Sequence, residues 1–425
     1  MFKTLRNAWA IKEIRNKIFF TIFILLVFRV GSVIPVPFIN VDALKTNSND
    51  FFNYLSILTG GGLQYGAIFA LSVTPYINSS IIVQLLTVVF TKLQEWSKEG
   101  EEGQKKLAQL IRYVTIGLAV IQGIAYYIYL ERSNFLTVKG TFAEIYAGIV
   151  LVAVFTAGSA LVMWLGEQID AKGIGNGISM ILFAGIISRA PDAAAYLWGM
   201  IGLKQYVQVA AVIIIFLAVI LFVVWMTAAE RRIAVQYAKR VVGNKMYGGQ
   251  NTHIPIKVNM SGVMPIIFAS SILMLPTMIL SFMGTPKPGF QESFAKVLGL
   301  FSVQGIFYAV VYFFLIIGFA YFYATIQFNP VEMANNLRKN GGAIPGIRPG
   351  QPTTDFISKI LSRITLLGAL FLSVVAILPI IVGNVGKINI ALGGTSMLIL
   401  VGVALDTVRS LESQMMMRHY KGFLD

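Results

Sequence analysis

The chain has 425 residues, of which 56% are hydrophobic and only 12% charged, whereas an ordinary soluble domain carries about 25% charged residues. This composition, with a mean hydropathy of +0.73, excludes a soluble globular protein and indicates a membrane protein. The sequence has no cysteine, which excludes disulfides, thiolate metal sites and cysteine nucleophiles, while 34 Lys and Arg against 19 Asp and Glu leave a net charge of +15.

Ten apolar runs follow one another along the chain, most of them near the ~20 residues that a helix needs to cross a bilayer. They are residues 18–36, 66–90, 112–131, 144–165, 177–188, 206–228, 261–283, 304–326, 362–383 and 391–408. No small-residue cleavage motif follows the first run, so we expect it to be a retained span and not a signal peptide. The fifth run is the shortest, and its length is also typical of a re-entrant segment.

The positions of Lys and Arg indicate that the fifth run crosses the membrane. If all ten runs cross, 25 basic residues lie on the side of the N-terminus and 8 on the opposite side, with Arg29 inside the first run. If the fifth run does not cross, the division becomes 16 against 17. Because cytoplasmic segments carry the excess of Lys and Arg, we expect ten spans with both termini in the cytoplasm.

Ten spans divide into two sets of five, and the odd number requires the second set to be inverted relative to the first. We therefore expect an all-α integral membrane protein with a first half at residues 1–205 and a second half at 206–425. The second span of each half is interrupted, at Gly66 and Pro75 and at Gly262, Pro265 and Pro276. Matching interruptions point to a substrate pathway, although prolines also occur in membrane helices without such a role.

Motifs for chemistry are scarce. The sequence has no GxxxxGK[ST] nucleotide motif, and the glycines of Gly173-Ile-Gly-Asn-Gly177 lack dinucleotide spacing and suit a turn before a short helix. His253 has no nearby carboxylate or second histidine, which favours a loop histidine over a ligand. We therefore expect no enzyme and no cofactor.

An inverted-repeat transporter for a small solute is the alternative class of protein. Such a transporter usually needs polar or acidic groups near the middle of the membrane, but Glu167 and Asp406 lie near span ends. Arg29 suits a snorkelling or helix-capping role better than transport.

Two long segments on the cytoplasmic side, 229–260 and 327–361, carry a concentration of basic residues. Alternating apolar and polar residues in 230–240 predict a strand or hairpin, and 329–339 predicts a short helix before a turn-rich tip. A guanidinium on such a tip can bind phosphate or carboxylate with two hydrogen bonds. Docking of a partner and ordinary positive-inside charge are both open interpretations. The candidate docking residues are Arg231, Arg232, Lys239, Arg240, Arg338, Lys339 and Arg348.

Seven motifs are spread in order from the N-terminal region to the last apolar run. They are Ile34-Pro-Val-Pro37, Thr74-Pro-Tyr-Ile77 with Ile81-Ile-Val-Gln-Leu-Leu86, Trp164-Leu-Gly-Glu-Gln168, Gly173-Ile-Gly-Asn-Gly-Ile-Ser179, Thr252-His-Ile-Pro-Ile-Lys-Val-Asn259, Ile344-Pro-Gly-Ile-Arg-Pro-Gly350 and Leu392-Gly-Gly-Thr-Ser396. Together they resemble the SecY/Sec61-alpha family of protein-conducting channels, over essentially the whole chain. Each motif alone is weak, but seven in the same order are highly specific.

The resemblance implies two five-span halves around an hourglass pore, with a lateral gate between spans two and three and spans seven and eight. It places an aliphatic pore ring at Val73, Ile77, Ile178, Leu182, Ile267 and Ile399. Within each of the first two pairs the residues are i,i+4 neighbours on one helical face. Six aliphatic side chains can close around an extended chain and disfavour water and ions. Family members mostly have isoleucine here, so Val73 and Leu182 depart slightly. Without the resemblance, all six would suit the core of a helix bundle equally well.

The resemblance also implies a plug on the outer side, at about residues 56–66. The plug residues are Ile57, Leu58, Gly60, Gly61, Gly62 and Leu63, and the glycine run disfavours a long helix there. Two polar residues, Gln84 and Asn176, match positions near the gate and the pore. Each needs a hydrogen-bond partner in lipid, so we expect them to affect how easily the gate opens.

The function that the resemblance implies is passage of unfolded preproteins across the cytoplasmic membrane and insertion of membrane proteins into it. It implies SecE and SecG as partner subunits, and the SecA ATPase and the ribosome as docking partners. Arg348 matches the arginine on which motor-driven translocation depends in the family. Signal sequences and the lipid bilayer are the remaining expected partners, because an apolar signal of about 7–15 residues would enter at the gate.

Overall fold

The structure is a computed structural model that describes most of the chain and is mostly helical. The described residues are 9–46, 60–138, 140–237, 240–242, 245–247, 251–260, 262–283, 298–301, 305–386 and 394–421. The structural statements that follow concern these residues.

The helices follow the apolar runs of the sequence. In chain order they are α1 (Lys12–Gly31), α2 (Val41–Thr46), α3 (Thr74–Val89), α4 (Thr91–Lys98), α5 (Glu101–Arg132), α6 (Thr141–Lys172), α7 (Gly177–Ile187), α8 (Ala190–Gly202), α9 (Tyr206–Ala228), α10 (Met264–Met283), α11 (Ile306–Gln327), α12 (Pro330–Lys339), α13 (Gln351–Gly386) and α14 (Gly394–Lys421).

Among the described residues, the strands lie in the two basic segments. They are β1 (Glu230–Tyr237), β2 (Arg240–Val242), β3 (Lys245–Tyr247), β4 (Asn251–Lys257) and β5 (Gly342–Ala343). The strand order of the larger sheet is β4-β1-β5, with both pairings antiparallel, and β2 pairs antiparallel with β3. The strand or hairpin predicted for residues 230–240 is confirmed as strand β1, which pairs with β4, and the short helix predicted for residues 329–339 is confirmed as α12.

Each of the ten apolar runs overlaps a helix, and run 206–228 coincides with α9. Within the part of the chain that the structure describes, six helices have the length and hydropathy to cross a bilayer, and a seventh joins them if the bent pair α3 and α4 is one span. The chain therefore has the architecture of a multi-pass membrane protein.

The fifth run is longer as a helix than as an apolar run. Helix α7 is followed, after only Ser188 and Arg189, by α8, and the two together provide a 26-residue stretch that is apolar enough to span. The apolar run was predicted to be shorter because Arg189, Pro191 and Asp192 lower the local hydropathy. The helical stretch nevertheless continues through them.

The interruption predicted in the second run is present and larger than expected. Residues 60–73 form successive turns, and the helix begins only at Thr74, with Pro75 in its first turn. Proline fits this position because its missing amide hydrogen has no helical partner there. After Val89 the chain bends by 104° into α4. In α10, Pro265 lies near the first residue of the helix and Pro276 lies inside it.

The described residues divide into two compact units, each with its own packing. The first comprises Met1–Val209, Met274–Val303 and Ile399–Asp425, and the second comprises Ala210–Leu273 and Gln304–Leu398. In the first unit, an apolar cluster that includes Leu63, Tyr126 and Phe155 joins residues 36–44 and 63–71 to α5 and α6. In the second unit, α11 packs along α13, and the sheet has an apolar core of its own.

Candidate functional site

The turn segment of residues 60–73 precedes the first pair of predicted ring residues, and its second half is fixed by backbone hydrogen bonds. The amide of Val36 donates to the carbonyl of Gly66 at 2.9 Å, and the amide of Ile68 donates to the carbonyl of Ile34 at 3.1 Å. Gly66 has φ of 53°, a conformation that L side chains rarely adopt. The entry to α3 is therefore held against the loop that follows α1.

The predicted plug is described in part. Gly60, Gly61, Gly62 and Leu63 form buried turns at the start of this segment. Ile57 and Leu58 lie outside the described residues. Arg29 contacts this region: its Nη1 donates to the carbonyl of Gly60 at 2.7 Å and to the hydroxyl of Ser188, the residue after α7, at 3.1 Å.

The first unit contains five of the six predicted ring residues. Val73 precedes α3 and is buried, and Ile77 lies one turn later, half-buried, with its amide bonded to the carbonyl of Val73 at 3.0 Å. In α7, Ile178 is half-buried and Leu182 is buried. The fifth, Ile399, is buried in α14.

Two contacts place these helices against each other within the unit. The tip of Ile178 lies over Gly166 of α6, where an added Cβ would approach its Cδ1 to 2.6 Å. The hydroxyl of Thr407, two turns after Ile399, contacts the sulfur of Met180 at 3.4 Å. The sixth ring residue, Ile267, belongs to the second unit and is half-buried in α10.

The two polar gate candidates have different surroundings. Asn176 is the N-cap of α7: its Oδ1 accepts from the amide of Ser179 at 2.9 Å. A carboxylate that the sequence analysis missed completes this cap, because Oδ1 of Asp170 accepts from the amide of Gly177 at 2.7 Å. Gln84 is half-buried in the middle of α3. The only signal for the cap was the turn motif between α6 and α7, which identified the turn but not its acceptors.

The first basic segment carries two exposed arginines at the start of strand β1, Arg231 and Arg232. Because successive side chains of a strand alternate, Arg232 lies on the face opposite the buried Ile233 and Val235, and Arg231 is exposed at the strand end on their face. Arg232 is also paired within the strand, since its Nη2 lies 2.7 Å from Oε1 of Glu230.

The remaining two residues of this set fall in the part of the segment beyond β1. Arg240 begins β2, which pairs with β3. Lys239 lies outside the described residues.

The second basic segment begins with a capped amphipathic helix. Oδ1 of Asn329 accepts from the amide of Val331 at 3.1 Å, and Pro330 occupies the first position of α12. Arg338 and Lys339 are exposed in its last turn, where basic residues interact favourably with the helix dipole.

Arg348 lies on the predicted tip between β5 and α13. Its side chain is exposed, and its carbonyl accepts from the hydroxyl of Thr353 at 2.9 Å, which connects the tip to the first turn of α13.

The structure joins the two basic segments into one folded layer, which sequence reasoning treated as separate loops. Strand β5 pairs with the end of β1, with Gly342 opposite Tyr237. The apolar core beneath combines Ile233, Val235 and Ile256 of the sheet with Ala334, Leu337, Ile344, Ile357, Leu361 and Ile364. We call β1, β4, β5, α12 and residues 344–364 the loop layer. The chain separation of β1 and β5 left no local signal for their pairing.

Comparison with known families and relatives covers nearly the whole chain. The family model described as SecY matches residues 67–408. The protein translocase subunit SecY of Bacillus subtilis (strain 168) is 44% identical over 440 residues, covering 100% of both chains. The subunit of the same name from Thermotoga maritima is 41% identical over 435 residues, covering 100% of this chain and 98% of that one.

Solved structures with the same fold include channels from different assemblies. One described as "The structure of a protein conducting channel" has a TM-score of 0.67 and 18% identity, covering 93% of this chain and 91% of that chain. Another, "Sec61 in the Canine ribosome-channel complex from the endoplasmic reticulum", has a TM-score of 0.63, 18% identity and the same coverage. At this level of identity the similarity concerns the fold.

Proposed function

The chain belongs to the SecY family, and from this premise we propose how its residues carry out the work of a translocase. Its function is that of a protein-conducting channel subunit, which passes unfolded preproteins across a membrane and releases membrane proteins into it. The observation that carries this conclusion is 44% identity to a translocase subunit over the full length of both chains. No single motif could support the function as well as similarity over every span.

The proposed architecture is ten membrane spans in two inverted halves, divided near residues 205 and 206, with both termini in the cytoplasm. The overlap of each of the ten apolar runs with a helix supports it, and so does the division of Lys and Arg, 25 against 8, that this topology gives. The location that follows for a bacterial-type SecY chain is the cytoplasmic membrane.

The constriction of the channel is the ring of six aliphatic residues. Ile77, Ile178 and Ile267 are half-buried, as expected of side chains at the border of a pathway, while Val73, Leu182 and Ile399 are buried. None of the six side chains can form a hydrogen bond with a passing polypeptide, and their apolar surface disfavours water and ions in the resting channel. The plug, residues 56–66, adds a second barrier on the outer side.

Lateral release requires the seam between spans two and three and between spans seven and eight to separate. Gln84 lies on α3 at this proposed gate, and Asn176 supports the start of α7 beside the pore. An apolar signal sequence shifts the gate toward its open state to the extent that it binds that state more tightly than the closed one.

The loop layer is the proposed docking surface for the SecA ATPase and the ribosome, and SecE and SecG are the proposed partner subunits. A folded layer with an apolar core holds Arg231, Arg338, Lys339 and Arg348 on a stiff support. Stiffness matters because an ordered guanidinium loses less entropy when it binds a carboxylate or phosphate. The canine structure, a ribosome-channel complex, supports the ribosome as one of these partners.

A crosslinking experiment tests the channel directly. A photoreactive residue is placed at position 77 or 267, and a preprotein is stalled during translocation by a folded domain at its end. Adducts with the stalled chain are expected from both positions. The control is position 89, exposed at the end of α3, which is expected to give lipid adducts instead. Efficient stalling without polypeptide adducts at 77 and 267 would contradict the proposed pathway.

A further inference from the structure

The first residues of the turn segment, Gly60 to Gln64, are contacted by hydrogen-bonding side chains from other parts of the first unit. Tyr126 of α5 donates its hydroxyl to the carbonyl of Leu63 at 2.7 Å from a fully buried position. Arg29 of α1 donates to the carbonyl of Gly60 at 2.7 Å. Side chains of α1 and α5 therefore contact this short stretch. Ser188 and Arg189, the two residues that follow α7, contact it as well.

Arg29 joins the stretch to the end of α7. The same Nη1 that contacts Gly60 lies 3.1 Å from the hydroxyl of Ser188, and that hydroxyl also contacts the Gly60 carbonyl at 3.4 Å. The backbone of Gly60 lies against Gly185, whose Cα would be 2.8 Å from an added Cβ. Gly60 is thus seated in a close-fitting position that only a residue without a side chain can take.

Arg189 makes the second charged contact. Its Nη2 donates to Oε1 of Gln64 at 2.7 Å, and its Nη1 lies 3.5 Å from Oδ2 of Asp192, whose side chain is mostly exposed. Arg29 and Arg189 are close enough to repel each other electrostatically. Hydrogen bonds to Gly60, Ser188 and Gln64 therefore hold the arrangement against a repulsion between like charges.

The following residues are held differently, by the backbone. The Val36 amide donates to the Gly66 carbonyl and the Ile68 amide to the Ile34 carbonyl, while the Ala67 amide donates back to the Gly62 carbonyl at 2.9 Å. Such main-chain bonds do not depend on side-chain identity. Gly60, Gly61 and Gly66 have positive φ. Residues 60–64 are therefore flanked at both ends by glycines in a conformation that other residues rarely adopt. Release of residues 60–64 while residues 68–69 stay in place therefore breaks the side-chain contacts and the backbone bond between Ala67 and Gly62.

We propose that Arg29 and Arg189 are positioning residues that latch Gly60–Gln64 in the resting channel, with Gly66 as the hinge. The proposal deepens the proposed channel function and rests on it. Neither arginine touches the translocated chain in the resting state. They act by holding the segment. Opening on the outer side therefore requires the hydrogen bond from Arg29 to the Gly60 carbonyl to be replaced by one to water or to another acceptor.

The test uses a reporter at Leu63, which is 6% exposed in the latched position. Because the chain has no cysteine, Leu63→Cys introduces a single thiol, assembled with partner subunits free of cysteine. In idle complexes in membranes, R29M is expected to raise the labelling rate by a membrane-impermeant maleimide about tenfold, since loss of a hydrogen bond from a charged donor shifts an opening equilibrium by roughly that factor. R189M is expected to act in the same direction.

Three variants separate a latch from general damage. R29K keeps one charged donor and is expected to recover most of the protection, and S188A removes a neutral partner and is expected to raise labelling less than R29M. R132M removes an exposed arginine from the end of α5 and is expected to leave labelling unchanged. Ion flux through idle vesicles is measured in parallel and is expected to rise in the same order as labelling.

The outcomes distinguish the latch from the channel itself. If unsubstituted complexes export a preprotein and reject one with a defective signal, the channel function stands. In that case, equal labelling of L63C alone and of L63C with R29M would overturn the latch. Equal increases for R29K, R29M and R132M would also overturn it, because they would indicate nonspecific loosening.

Discussion

The turn segment of residues 60–73 and the loop layer differ in how they are held in place. The segment packs against α5 and α6 through Leu63, Ala70 and Leu71, and its first residues also accept hydrogen bonds from Arg29, Arg189 and Tyr126. The loop layer has its own apolar core and a three-stranded sheet. Under the latch proposal, the polar contacts of the segment's first residues can be exchanged during opening, whereas the burial of apolar surface that holds the loop layer is lost only by unfolding.

This difference predicts that the two regions can be damaged independently. Substitutions in the loop layer are expected to impair partner-driven transport while the resting channel stays closed. Substitutions around the segment and the ring are expected to weaken closure while docking persists.

The largest effect is expected from V235D in the middle of β1. Val235 is 0% exposed, and a buried carboxylate without a partner costs about 3–5 kcal/mol, enough to unfold the loop layer locally. Motor-driven export is expected to fail and the layer to become sensitive to protease, with idle ion flux unchanged. Q236D, on the exposed face of the same strand, is the control. A protease-resistant layer in V235D would show that the core beneath β1 does not hold it.

The next effect is expected from R348E, which leaves the layer folded but reverses the charge of its tip. Binding of the SecA motor is expected to weaken about ten- to hundredfold, since a hydrogen bond to a charged group contributes about 1.5–3 kcal/mol. Cosedimentation of the motor with vesicles measures it, alongside normal membrane insertion of the chain. The matched control is K359E, an exposed charge reversal on α13. An equal loss of motor binding in both variants would show that binding depends on the overall charge of the layer and not on Arg348 at the tip.

A severalfold effect in the opposite direction is expected from I77N in the ring. An amide at the constriction recruits water and weakens the apolar barrier, so idle ion flux and export of preproteins with defective signals are both expected to rise. Motor binding is expected to stay normal. I77L preserves the aliphatic character and is the control. If I77N retains tight closure and full signal stringency, residue 77 does not belong to the barrier.

The smallest effect is expected from N176A at the start of α7. Loss of an N-cap side chain costs about 1 kcal/mol, and Asp170 still caps the neighbouring amide. Thermal unfolding of the purified complex is expected to shift slightly downward, with a slight rise in idle flux. N176D retains an acceptor for the amide of Ser179 and is expected to restore stability. A large loss of export in N176A would assign Asn176 a direct role in gating.

Much of the secondary structure could be predicted from local sequence, because hydropathy and helix signals act over a few residues. Run 206–228 matches α9, and Asn329-Pro330 marks the start of α12. The second span was less well predicted, since the apolar character of residues 66–73 continues through backbone turns that are not helical. Hydropathy reports where a residue prefers to be, and not the conformation in which it is buried.

The partners of polar residues could not be predicted in the same way. Arg29 was expected to snorkel or to cap a helix, but its contacts lie 31 and 159 residues away at Gly60 and Ser188. The cap that Asp170 provides to Gly177 was missed although the two are only 7 residues apart. A side chain's partner depends on which helices pack side by side, and no local pattern encodes that.

By itself the sequence determined that this is a basic, cysteine-free membrane protein and that its motifs are those of the SecY family. The net charge of +15 agrees with the predicted topology, in which Lys and Arg are concentrated at span ends on one side. Only the tertiary structure decided that two separate basic segments share one sheet and one core, and that Arg29 and Arg189 hold residues 60–64. Hydropathy and charge are properties of single residues summed along the chain, whereas a shared core and a side-chain latch require distant residues to be brought to within a few ångströms.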